Sequence, residues 1–200
     1  MVILLKEKYV LFSKIWGVMK YIVLLRGINI SGKNKIPMSE LKKEFEVLGY
    51  ENVTTYLNSG NVIFTSNIAK EEIVINNIHK MIEEKFCIDI PVYVMKASQL
   101  KELLENQPEW WGTSNKEIYD NIIFIIPPTT FEKVYNTIGE PKQELEKIKE
   151  YKNNIFWSYS LKEYRKTNWW AKTASTSISN SITIRTANTM RKVLELCNNL

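Results

Sequence analysis

The stretch YIVLLRGINISGKNKIPMSELKKEFEVLGYENVTTYLNSGNVIFTS, residues 21–66, decides the fold. Its first seven residues, YIVLLRG (21–27), read as a strand with Tyr21, Val23 and Leu25 on one face and Ile22 and Leu24 on the other. A strand apolar on both faces is covered on both, so more than its own helices must lie against this sheet. The second half of the chain is the expected cover. After a polar loop, Pro37 introduces a helix in which Met38, Leu41, Phe45 and Leu48 recur at helical spacing, and Gly49 supplies a left-handed C-cap. VTTYL (53–57) and VIFTS (62–66) are β-branched and aromatic, with Asn58-Ser59-Gly60-Asn61 as the connecting turn.

Working outward, residues 70–86 read as a helix with Val74, Ile75, Ile78, Met81 and Ile82 inward, and IPVYVM (90–95) as an edge strand admitting Pro91. The succession from 21 to 95 is a βαββαβ unit of the ferredoxin-like kind. In that topology the loop after the first strand and the hairpin between the second and third lie at one end of the sheet. Beyond it, Ser98 is expected to cap a helix carrying Leu100, Leu103 and Leu104. NIIFII (121–126) reads as a buried strand, and a helix follows from Thr130 to Ile138. A hairpin comes next, turning at Asn153-Asn154, and the remainder to Leu200 reads as mostly helical. The fold class is therefore α+β with mainly antiparallel sheets. Its organisation is an N-terminal extension over 1–18, a ferredoxin-like half over 19–96, and a second α+β half over 97–200 with a basic helical end. Lys6, Glu7, Lys8 and Lys14 interrupt any apolar run in the opening segment, so neither a signal peptide nor a membrane span is expected there, and Met19 is the expected true start.

The formal charge of +5 is unevenly placed. Residues 1–18 carry +2, residues 19–150 carry −3, and residues 151–200, with eight basic and two acidic groups, carry +6. An anionic partner is the class this suggests. Cys87 and Cys197 match no metal or redox spacing and point to a reducing cytoplasm. His79, the single histidine, excludes a His-cluster metal site and reads as a helix residue. No cofactor is implied.

GINISGKN, Gly27 to Asn34, satisfies G-x-x-x-x-G-K but lacks the final Ser or Thr, and Pro37 follows too soon for a helix to begin at Lys33. Nucleotide hydrolysis is not expected. What remains is a polar cluster: Arg26, Asn29, Lys33, Asn34 and Lys35 facing Asn58, Ser59 and Asn61. Guanidinium and amide groups there suit a carboxylate or phosphate, although Asn and Gly also simply shape turns. In the tail, TNWWAK (167–172) and TIRTANTMRK (183–192) mix cations with aromatics as a nucleic-acid surface does; the structural reading is the favoured one, with Trp169 and Trp170 in the core, Arg185, Arg191 and Lys192 on a solvated helix face or partnering C-terminal carbonyls, and Thr186, Asn188 and Thr189 able to cap the final helix.

LLRGINISGKNKIPMSEL, LGYENVTTYLNSGNVIF and TIRTANTMRK resemble the successive signature segments of a bacterial family, the domain of unknown function 1697, from about Met19 to the C-terminus. The resemblance implies a cytoplasmic α+β protein of two ferredoxin-like halves and no established activity. Its pattern falls on Arg26, Gly27, Asn29, Gly32, Lys33, Pro37, Met38, Tyr56, Ser59, Gly60 and Asn61, then on Arg185, Asn188, Thr189 and Lys192; Thr186 departs from the more usual Asn. The expected function is binding of a phosphate-bearing or nucleic-acid ligand at the end formed by loop 26–35 and hairpin 58–61. The expected ligand-binding residues are Arg26, Asn29, Lys33, Asn58, Ser59, Asn61, Arg185, Asn188 and Lys192. An enzyme acting on a small anionic substrate and a protein-interaction module are the alternatives.

Overall fold

In a computed structural model, which describes residues 17–200, strand β1 (Met19–Leu25) is fully buried from Tyr21 to Leu25. The reading of residues 1–18 as an extension falls almost entirely outside the described residues. β1 leads through the polar loop to helix α1 (Met38–Val47), then β2 (Glu51–Tyr56), β3 (Asn61–Ser66), α2 (Glu71–Phe86) and β4 (Val92–Lys96). The strands pair antiparallel in the order β2-β3-β1-β4, the ferredoxin-like arrangement, with the Pro91-led strand at an edge. Helix α1 starts at Met38, so no helix begins at Lys33 and the P-loop geometry is absent.

The second half repeats this plan. Helix α3 (Ala97–Glu105) leads to β5 (Ile118–Ile125), α4 (Phe131–Ile138), β6 (Glu146–Tyr151), β7 (Asn154–Ser160), α5 (Asn168–Ser175), β8 (Ile182–Thr186) and α6 (Ala187–Asn198). Its sheet order, β6-β7-β5-β8, is again antiparallel throughout.

Three local expectations change. Ser98 lies inside the first turn of α3: the N-cap is Lys96, the last residue of β4, whose backbone N–H donates to Gln99 Oε1. The second hairpin turns at Lys152 and Asn153, both left-handed, which leaves Asn154 as the first residue of β7. The tail also contains β8, a strand missed because only Ile182 and Ile184 carry its apolar alternation; the other face presents Thr183 and Arg185.

The periodicities sort the apolar side chains into three cores. Tyr21, Val23 and Leu25 join Leu41, Phe45, Val74 and Ile78 beneath α1 and α2. Ile123, Ile125 and Trp157 pack with Val134, Ile138 and Trp169 beneath α4 and α5. Between the sheets, Ile22, Leu24 and Ile63 meet Ile122, Phe124 and Phe156, together with Leu100 and Leu103 of α3 and Met190 and Val193 of α6. This middle core is the second cover that a two-faced β1 requires. No described helix is long and apolar enough to cross a membrane.

Candidate functional site

The loop after β1 is built from backbone that few residues adopt. Gly27, Asn29, Ser31, Gly32 and Asn34 all have positive φ, and four of the five are Gly or Asn, the types that tolerate it. Asn29 holds the loop shut: its Nδ2 donates to Ile36 O (3.0 Å) and Asn58 O (2.9 Å), and its Oδ1 accepts from Ile36 N–H (2.9 Å). Asn34 Nδ2 donates to Gly27 O at 3.0 Å. The loop and the hairpin therefore meet through named hydrogen bonds, as the topology requires.

The hairpin seats closely on β1. Leu25 N–H donates to Gly60 O at 2.8 Å, and a Cβ on Gly60 would lie 2.8 Å from Leu25 Cβ. Only glycine fits that approach with φ +76°. Leu57, by contrast, is a half-exposed leucine at φ +58°. A branched side chain there costs about 1 kcal/mol of backbone strain. Leu57→Asn should therefore raise the urea midpoint, stabilising the chain by about 0.5 kcal/mol; a lowered midpoint would show that the leucine side chain contributes more than its backbone costs.

Asn61 is not a turn residue as expected but the first residue of β3, and it is fully buried. It tolerates burial because its polar atoms are satisfied: Nδ2 donates to Tyr56 O (2.8 Å) and Ser59 Oγ (3.1 Å), and Oδ1 accepts from Arg185 Nε (2.6 Å). Arg185 comes from β8, 124 residues away, on the strand face turned toward the first sheet. It is 8% exposed, not on a solvated face. All five guanidinium N–H groups have acceptors: Asn61 Oδ1, Thr183 Oγ1, Ile184 O, Leu25 O (2.7 Å) and Ser59 O (2.8 Å). Burial, and secondarily the charge of Arg26, pulls this guanidinium down to about 10.

Arg26 lies beside it under different conditions. It is half-buried, burial lowers its pKa from the ordinary guanidinium value, and its side chain has no hydrogen bond or ion pair among the described residues. It lines a cleft of about 430 Å³ with Gly27, Asn34, His79, Asp89, Pro91 and Asn180, the last from a 3₁₀ turn of the second half (Ser177–Ser181). Across this cleft His79 Nε2 and Asp89 Oδ1 are 3.0 Å apart. This pair was not legible in the sequence: the chain reverses at left-handed Cys87 and returns Asp89 to the side of α2.

The predicted site residues thus divide. Asn29 and Asn58 line a separate cleft of about 380 Å³ with Lys35 and Met38. Lys33 is exposed at the loop tip, and Ser59 and Asn61 lie under Arg185. Asn188 is elsewhere, in a cleft at the start of α6 lined by Gly112, Lys116 and Asp120. Lys192 is half-buried and paired with Glu195 at 2.6 Å. Most of the tail's cations are similarly engaged. Lys152, Lys162 and Lys166 pair with Glu102, Glu117 and Glu163. Lys172 and Arg191 donate to the backbone carbonyls of Ile138 and Gly112. Trp169 is core, Trp170 is exposed, and Thr186 caps α6 by accepting from Thr189 N–H.

A family described as "Protein of unknown function (DUF1697)" matches residues 18–156, so the segment 183–192 lies beyond the matched residues. A solved structure, that of the conserved bacterial protein SP0830 from Streptococcus pneumoniae, is similar at 29% identity with a TM-score of 0.80. The likeness covers 90% of this chain and 99% of that one. No curated protein matches.

Proposed function

Since the chain belongs to the DUF1697 family, whose description names no activity, we propose its function from the site alone: it binds a small phosphate-bearing anion in the cleft beside Arg26. The observation that carries this is the isolated charge of Arg26, a partly desolvated guanidinium next to a second one, with no carboxylate in ion-pair contact among the described residues. Two neighbouring cations repel in a medium less polar than water. Arg185 is saturated by neutral oxygens and cannot take a ligand, so an anion on Arg26 is the group that would relieve both. Arg26 presents a planar fork suited to two phosphate oxygens, and Asn34 and Asn180 border the same cleft with amides.

A nucleic-acid strand fits less well. Such ligands require a run of free cations along the phosphates, whereas the tail lysines are largely paired with glutamates. A small substrate with proton transfer at His79 would use the same cleft.

The test is calorimetric titration with inorganic phosphate. Arg26→Gln should weaken phosphate binding about tenfold or more, the usual loss when a charge-assisted fork is removed, without lowering the unfolding midpoint, because it also removes the repulsion on Arg185. An affinity equal to that of the native chain would overturn the assignment.

A further inference from the structure

We infer that His79 and Asp89 form a proton-operated charge gate on the Arg26 cleft, holding the anion more tightly when the imidazole is protonated. The inference rests on the anion site proposed above.

The geometry is that of a matched pair at the rim. His79 stands on α2, and Asp89 reaches it from the segment between α2 and β4 at 3.0 Å. Both line the cleft that Arg26 borders. Among the described residues that line the cleft, the charged groups beside His79 are Asp89 and Arg26. The loop presents Asn34 and the 3₁₀ turn presents Asn180, neither of them charged. On α2 itself, Glu83 lies one turn further on, and Lys80 is paired with Glu84 at 3.7 Å.

With a neutral imidazole, the formal charges of Arg26 and Asp89 cancel, and an anion approaching Arg26 meets an unmatched carboxylate at the entrance. A proton on His79 matches that carboxylate and leaves the cleft with one net positive charge. Histidine is the side chain whose charge changes between about pH 5 and 8. Anion affinity should therefore rise as pH falls through the histidine range and level off below it. His79 and Asp89 are both well exposed to water, with side-chain exposures of 42% and 83%. Solvent screening keeps the effect to about three- to fivefold.

The probe is inorganic sulfate, which is a dianion throughout this range, so any pH dependence belongs to the protein. Its affinity for the full chain is measured by calorimetry at about pH 6 and about pH 8. The native chain should bind about three- to fivefold tighter at the lower pH. His79→Gln should stay at the weaker affinity at both. Asp89→Asn, which removes the repelling carboxylate, should at the higher pH bind about as tightly as the native chain does at the lower. Sulfate binding that is independent of pH, or a pH dependence that survives His79→Gln, overturns the gate and leaves the anion site standing. No sulfate binding at either pH overturns the gate, and no binding of inorganic phosphate either overturns the anion site as well.

Discussion

Arg185→Met should destabilise the folded chain by about 3–5 kcal/mol, read as a lower urea midpoint with an unchanged slope. Methionine fills much of the volume but supplies no donors. The change strips Asn61 Oδ1 of its Arg185 donor and removes one from each of the carbonyls of Leu25, Ser59 and Ile184. Each buried acceptor left unpaired costs about 1–3 kcal/mol. Recovering the desolvation energy of the guanidinium, evident in its lowered pKa, offsets part of that total. Arg185→Lys is a sharper comparison. An ammonium keeps the charge but has three donors instead of five and no planar fork, so it should lose more than half of what methionine loses. A loss below about 1 kcal/mol for Arg185→Met would mean that water replaces the guanidinium, and that the two halves are not stapled at this point.

Glu146→Ala should cost a comparable amount, about 3–4 kcal/mol, in the other half of the molecule. Glu146 is 2% exposed and accepts from four groups. Lys142 N–H lies at 3.1 Å, Asn168 N–H at 2.7 Å, Trp169 N–H at 3.2 Å and Trp157 Nε1–H at 3.1 Å. Asn168 and Trp169 open α5, so the carboxylate also sits where the helix presents unpaired N–H groups and the positive end of its dipole. Alanine orphans all four donors. Glu146→Gln keeps one carbonyl oxygen but turns an NH₂ toward the rest, so it should fall between the native chain and alanine. Near-UV circular dichroism should change with the midpoint, because Trp157 and Trp169 both lean on this group. An unchanged tryptophan signal in Glu146→Ala would count against the hub.

Both predictions concern residues whose importance no local pattern announces. Glu146 begins a strand in a run of alternating charges, where glutamate is ordinary. Arg185 stands in TIRTANTMRK and reads as a ligand-binding residue or as part of a basic helix face, whereas it is a buried strand residue. The apolar alternation of β8 is only two isoleucines long, too little to distinguish a strand from the start of the helix that follows. The same limit applies to charge. Residues 151–200 sum to +6 by counting, yet Lys152 and Lys162 meet Glu102 and Glu117, which lie 50 and 45 residues away. Counting cannot see those pairings, so the tail looks more available to a nucleic acid than it is.

The loop and hairpin cluster was legible for a different reason. In a βαββαβ unit the strand directions alone bring the end of β1 to the start of β3, and strand directions follow from the order of elements. Hence the contact between residues 26–35 and 58–61 could be stated in advance. Within the cluster, however, the roles of individual residues could not. Asn29 and Asn61 use their amides to shape and seat the two segments, while Arg26 keeps its charge uncommitted.

By itself, then, the sequence determined the first βαββαβ unit, the end of the sheet where its polar loops converge, and the need for a second cover over β1. Those properties depend on the period of apolar residues and on chain direction, both of which are local. Only the tertiary structure decided that Arg185 is a staple, that the tail lysines are paired, and that His79 and Asp89 share a cleft with Arg26. Those depend on which atoms lie within a few ångströms across long stretches of chain, and burial and hydrogen bonding assign an arginine its role only once that neighbourhood exists.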